Sequence, residues 1–567
     1  NVSNQLRISN TGKGVVNLSG GVMTVNNVLD MGNNPSNGGG ALNVSGTGTL
    51  QLNSNLIVAN NTSQNAPSSV SVSGGLVNIT GTATVANAGN GSMTISGGEV
   101  NVTGNTTVGV NGEGELTITG VESGQQHDLT GILIVGATNN AVSKGTVTIN
   151  MPNPGDTVNT GQVRVGANGQ SQLNLIEGTM NVSSSFNVAY SANSSAANGR
   201  TASFTLGNGI STPTLNVAGG NFEAGFAGAG VTTIKSGTYN QNDSNLIIGQ
   251  TSGSDAAFVV ENGDVNVHSG GTIRIGNQDA STGSFEVQNG TVDAGAIDFG
   301  GNITGLGAST NAGTYTQTGG TVTAGNFSMI NGGNTVSVSG GSLSIANLLL
   351  DADPADVGST FDFSGGTINT SGNVDYRAGF SDISISQTAD VNIGGNLNFD
   401  GGGSVANPNS FSVINGSATI DVTGDFTMTG SNAGERVLNF VTTTPSLTPV
   451  SAINVGGTVT LGGVLALTGF DALSDWTSIF GGSTGTVTLI NSLGIDPIGG
   501  DPFFQANGSV WAEGVAWQED PQWTLSYQGG TGNDVVLNYS AIVIPEPSRM
   551  ILLTLGVLGV VMCRRRK

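Results

Sequence analysis

The sequence predicts an all-β protein wound as a right-handed parallel β-helix, and three observations carry that expectation. A strand, Gly-Gly, strand unit recurs along the chain. Apolar residues alternate with Ser, Thr and Asn inside each unit. Charged residues, at 9%, are too few for a disordered polyelectrolyte, and aromatics, at 5%, too few for an ordinary globular core. The unit is clearest between Val70 and Gly120, where it returns at an offset of about 23 residues. Val70-Ser71-Val72-Ser73-Gly74-Gly75 reappears as Met93-Thr94-Ile95-Ser96-Gly97-Gly98, and again as Leu116-Thr117-Ile118-Thr119-Gly120. A second strand follows the corner (Leu76-Val77-Asn78-Ile79, then Glu99-Val100-Asn101-Val102), and a third begins at Thr84-Val85 and Thr107-Val108. One repeat cannot bury its own apolar face, so coils must stack about 4.8 Å apart, with Thr, Ser and Asn forming rows between neighbours. Antiparallel sandwich strands would share the alternation but do not require near-identical repeats. Parallel crossovers set the right-handed sense.

Taken in order, the repeat begins at Val15-Val16-Asn17-Leu18-Ser19-Gly20-Gly21-Val22-Met23-Thr24-Val25. Further copies start at Leu173, Phe258, Phe285, Tyr315 and Val336, and the spacing drifts between roughly 21 and 30 residues as loops lengthen. A second element is an aliphatic strand ending in Gly, as in Leu133-Ile134-Val135-Gly136, Val163-Arg164-Val165-Gly166 and Ile273-Arg274-Ile275-Gly276. The polar loops after it, such as 191–200 and 278–283, read as solvated connections. The repeat is legible to about Thr429, which makes residues 1–435 the solenoid domain. From 436 to 540 prolines cluster and all four tryptophans occur (Trp476, Trp511, Trp517, Trp523). Larger side chains there suit a β cap over the last coil, whose strand edges would otherwise stay open. Trp511 and Trp517 would alternatively offer a sugar-stacking platform.

A formal charge of −23 with no basic cluster before the last four residues argues against nucleic acid as a partner. Acidic, Asn-rich loops suit either calcium binding or simple solubility, and the second is the commoner use of such charge. Cys563 is the single cysteine, so neither a disulfide nor a thiolate metal site supports the body. The chain begins Asn1-Val2-Ser3, so an exported protein would have lost a signal peptide or be read here without it.

Chemical motifs are sparse. Gly529 to Leu537 fits one calcium nonapeptide, but without a tandem copy it reads as a turn before the last strand. Asp351, Asp353 and Asp356 lack EF-hand spacing and read as a solvated loop. His127 and His268 are far apart, and no H-E-x-x-H pair occurs. Arg164 and Arg274 lie on strands of similar register without legible carboxylate partners. The expectation is therefore no catalytic residue, no metal ligand and no cofactor. A carbohydrate-active β-helix enzyme and a partner-binding adhesin are the alternatives to a structural role.

The tail, residues 541–567, is the most specific signal. Ile544-Pro545-Glu546-Pro547-Ser548 precedes an apolar run from Met550 to Cys563 and then Arg564-Arg565-Arg566-Lys567. Two prolines make a stiff, extended step. The apolar run of about 14 residues falls short of the roughly 20 of a stable span, so it predicts one short transmembrane helix. Terminal cations hold that end on the cytoplasmic side. This three-part order resembles the PEP-CTERM sorting signal of Gram-negative bacteria, which exosortase enzymes process. The resemblance assigns Pro545, Glu546 and Pro547 to the processing motif and Arg564, Arg565, Arg566 and Lys567 to the membrane stop. It implies export, transient inner-membrane retention, tail removal, and delivery to the cell surface or exopolysaccharide matrix. The repeat body is similar in composition to autotransporter-type passenger β-solenoids.

Overall fold

The computed structural model describes residues 1–541 except 11, 34–38, 62–66, 121, 139–142, 193–200, 279, 301–311, 330–332, 351–357, 377–381, 400–408, 417, 429–435, 443–451, 471–475, 483, 495–497, 501, 506–508 and 531. Three parallel sheets run the length of the body, and each coil gives one strand to each. The first sheet begins at Gly14–Leu18 and Gly40–Val44, continues through the start of Ser68–Ile79, and closes at Val464–Thr468. Its inward row reads Val16, Leu42, Val70, Met93, Leu116 in direct register. The second runs from Val22–Val25 and Thr49–Leu52 to Thr484–Ser492. The third runs from Leu6–Ile8, Leu29–Met31 and Leu56–Val58 through Val459–Leu461 to the short Gly499–Gly500. Near-identical repeats therefore stack as parallel coils, as the sequence pattern requires.

Each corner has its own device. Between the first and second sheets, Gly75 and Gly98 take φ of 74° and 72°. A Cβ on Gly98 would overlap the Gly75 carbonyl of the previous coil, so this corner excludes any side chain. Between the second and third sheets, an Asn carbonyl accepts a backbone N–H from the next coil: Asn55 from Thr82 at 2.9 Å, Asn105 from Ile132 at 3.0 Å, Asn245 from Thr272 at 3.0 Å. This pairs amides that the bend takes out of the ladder. Between the third sheet and the first, the glycine that ends each aliphatic strand is left-handed, as at Gly136, Gly166 and Gly276. Ala59, Ala86 and Ala189 take the same conformation at φ 54°, 61° and 53°.

Alternation puts Val72, Ile95, Ile118 and their equivalents at zero exposure, each worth about 1.5–3 kcal/mol on burial. From Phe186 onward rings fill the lumen: Phe186 stacks on Phe222 at 4.8 Å, and Phe258, Phe285 and Tyr315 follow at 5.7 and 5.8 Å. Polar groups enter this core in pairs. Tyr239 donates to Gln241 at 2.7 Å and Tyr315 to Gln317 at 2.8 Å, all four residues being fully buried.

The tryptophan-bearing region is a cap. Asp534–Ser540 pairs antiparallel with both Thr484–Ser492 and Trp523–Gly529, extending the second sheet beyond the last coil. Trp476, Trp511, Trp517 and Trp523 are all buried within it, so none forms an exposed sugar platform. Parallel pairing continues past the change in sequence texture at 436, through Arg436–Val441, Ile453–Val455 and Val464–Thr468. Antiparallel pairing starts only at Thr484–Ser492. Bulk and proline mark the approach to the end of the stack, not the change of pairing. Trp476–Ile479 forms a single helical turn that the sequence pattern does not announce. Among the described residues no helix is long and apolar enough to cross a membrane, and the helix expected at 550–563 lies outside them.

Candidate functional site

The second sheet presents to solvent a row of amides one coil apart. Register places Asn159, Asn181, Asn216, Asn240 and Asn266 in line, followed by Asp293, Thr323, Ser344, Asn369, Asn392 and Asp421. Asn159 donates a side-chain N–H to the Asp128 carboxylate at 2.7 Å, and the next four asparagines each donate one to the Asn carbonyl of the coil before. Asn181 bonds Asn159 at 2.8 Å, Asn216 bonds Asn181 at 2.9 Å, Asn240 bonds Asn216 at 2.8 Å and Asn266 bonds Asn240 at 2.9 Å. Along this row, and lined by it and by the corner residues that follow it, runs an open trough.

The trough has three depressions, of about 540, 510 and 500 Å³. The first and second share Asn242, and the second and third share Thr323 and Ala324, so they are one feature reaching from Thr130 to Thr423. Asn, Ser, Thr, Ala and Gly dominate its lining. Among the described residues that line it, the titratable groups are His268, Asp293 and Asp421, with neither Lys nor Arg. His268 accepts at Nδ1 from the Gly270 N–H at 3.2 Å. His127, by contrast, points into the core with no exposure, so the two histidines do not meet.

The third sheet carries a second polar row, with Arg164, Asn187, Glu223, Ile247, Arg274, Asp298 and Ser328 in register. Asp298 is the register neighbour of Arg274, whereas Arg164 has Ile134 and Asn187 beside it and Glu223 lies two coils on. Arg164 lies over the Tyr190 ring at 4.3 Å, and Tyr190 stacks on Phe226 at 5.1 Å. Glu223 accepts from Asn187 and Asn221, and its burial raises the carboxyl pKa despite both bonds. Burial raises Asp298 too, against a bond from Ser328 and the Arg274 charge. At 7% exposure Glu223 is held by amides under cover, without access for a polymer.

Among the described residues no group of three or more His, Cys, Asp or Glu side chains is arranged to hold a metal ion. The Gly529 to Leu537 segment forms the final hairpin turn, with Gly530 and Gly532 at positive φ and Asp534 accepting from the Ser492 N–H at 2.9 Å. Gly481-Gly482-Ser483-Thr484-Gly485 has nucleophile-elbow spacing, but Ser483 lies outside the described residues, and the flanking elements, the helical turn Trp476–Ile479 before and the strand Thr484–Ser492 after, are in the reverse of the elbow's strand-to-helix order. The acidic segment at Asp351, Asp353 and Asp356 lies outside the described residues, as do Pro545, Glu546, Pro547 and Arg564 to Lys567.

Residues 543–567 match the PEP-CTERM protein-sorting motif. Neither curated proteins nor solved structures give a match to the chain. The tail is therefore a sorting signal of the kind exosortases recognise, and it implies export in a Gram-negative bacterium.

Proposed function

We propose that this protein is a structural or adhesive element of the cell surface or extracellular matrix, delivered there by removal of its sorting tail, and that it catalyses no reaction. The observation that carries the reading is the sorting motif at 543–567 following a long, capped β-solenoid. The three parts of the tail act in order. Arg564 to Lys567 stop transfer, the short run Met550 to Cys563 holds the chain in the inner membrane, and Pro545-Glu546-Pro547 presents an extended site to the processing enzyme. A run this short is a marginal permanent anchor, which favours a temporary one. The body winds right-handed, as parallel crossovers do.

The enzyme alternative would place polysaccharide cleavage at the Arg164 to Asp298 row. The cover over Glu223 and its amide bonds support a packing role instead. Replacing Pro545, Glu546 and Pro547 with Ala should leave full-length protein in the membrane fraction of the native host, whereas deleting Arg564 to Lys567 should weaken retention itself. Normal release of the triple-Ala variant would sink the sorting mechanism.

A further inference from the structure

We infer that the trough on the second sheet binds an uncharged linear polysaccharide lying along the solenoid axis. The inference deepens the adhesive reading and rests on it for the place where protein and polymer meet. Shape comes first. The trough follows the stacking direction without a break from Thr130 to Thr423, which suits an extended polymer rather than a compact ligand.

Chemistry narrows the class. An Asn side chain has two donors and two acceptor lone pairs. Asn181 and Asn216 each spend one donor and one lone pair on their neighbours, leaving one of each for solvent or ligand. That pair repeats on the successive coils of Asn181, Asn216 and Asn240, about 4.8 Å apart, and hydroxyl groups are its natural complement because each both donates and accepts. Ala218, Ala294, Ala324 and Ala346 keep the trough wide enough for a sugar ring. Charge excludes the acidic polymers. Asp293 and Asp421 sit in the row, no cation lines it among the described residues, and the whole chain carries −23. An extended peptide is a poorer fit, because the strands of this sheet are paired on both sides and offer no edge for strand addition. Among the described residues no aromatic ring lines the trough to stack on a sugar, so each unit is held weakly and affinity accrues with length.

The test uses the full chain purified in detergent and a panel of neutral linear polymers (β-1,4-glucan, α-1,6-glucan, β-1,4-mannan) beside acidic alginate and polygalacturonate. At least one neutral polymer should bind, more tightly as the chain lengthens and without dependence on salt. Asn216→Ala with Asn240→Ala should weaken that binding at least about ten-fold, the equivalent of a lost pair of hydrogen bonds. Ala218→Arg, which fills the trough beside Asn216 without replacing a member of the amide row, should weaken it as well, at unchanged melting temperature. Asn174→Ala, facing outward on the first sheet, should change nothing. Failure of every neutral polymer to bind, a preference for the acidic ones, or binding indifferent to both trough variants would overturn the inference. None of those results bears on tail processing, so the sorting reading stands or falls separately.

Discussion

His127 lies in the inward row of the second sheet, between Val100 and Val158, in a position the alternation reserves for an apolar residue. Its Nδ1 accepts the Val100 N–H at 3.3 Å, and a protonated ring could not keep that bond. Burial lowers its pKa below the ordinary 6.5, against the opposing pull of Glu99, Asp156 and Asp128. The sign follows directly. Below pH 6.5 the unfolded chain binds a proton that the folded chain refuses, so His127 makes stability fall as pH drops toward its folded-state value. His127→Leu should flatten the slope of urea midpoint against pH between about 6.5 and 5.5, where a single group changes stability by at most about 1.4 kcal/mol per pH unit. An identical slope in the variant would refute the assignment. In the sequence His127 was visible only as a histidine without a motif partner, because its burial depends on the register of coils around it. Ala59, Ala86 and Ala189 were equally silent. Their corners are left-handed, a conformation that costs an L-residue roughly 1–2 kcal/mol, and Ala carries no turn signal. The Asn rows were legible in kind, since alternation puts Asn outside. Which asparagines share a row was not, because loop lengths drift from coil to coil.

Strands and glycine corners could be read directly, since a period of two and paired glycines leave few other choices. The aliphatic strand ending in Gly proved to be the third sheet with its left-handed exit, as at Val163–Gly166. The cap was legible from its tryptophans, but its antiparallel pairing was not, because the strands Thr484–Ser492 and Asp534–Ser540 lie far apart in sequence. Trp523 is the centre of that cap. It is fully buried, 4.9 Å from Trp476, 5.1 Å from Tyr539 and 5.6 Å from Phe470. Trp523→Ala should cost about 3–5 kcal/mol locally. It should also open the last strand edges and drive association, seen as light scattering that grows with concentration. A variant that stays monodisperse with an unchanged melting profile would show that the cap is not what closes the stack.

At the scale of the whole molecule, length comes from repetition and the address comes from the end of the chain. Successive coils bury one apolar lumen with few charges, which is why a protein with 93 glycines and 5% aromatic residues can be long and still folded. The amide trough that runs beside this lumen escaped the sequence reading because only the register of successive coils brings its lining residues together, not any motif. The tail was the reverse case, fully legible as three adjoining signals and matched over 543–567. The central claim is that this tail directs the solenoid outward and is then lost. The most direct measurement is the intact mass of the protein recovered from the surface and medium of the native host. The account predicts a chain that ends at or near Pro545-Glu546-Pro547 and lacks the apolar run and its cations, while the full-length form stays in the membrane fraction. Surface protein that still ends at Lys567 would contradict it.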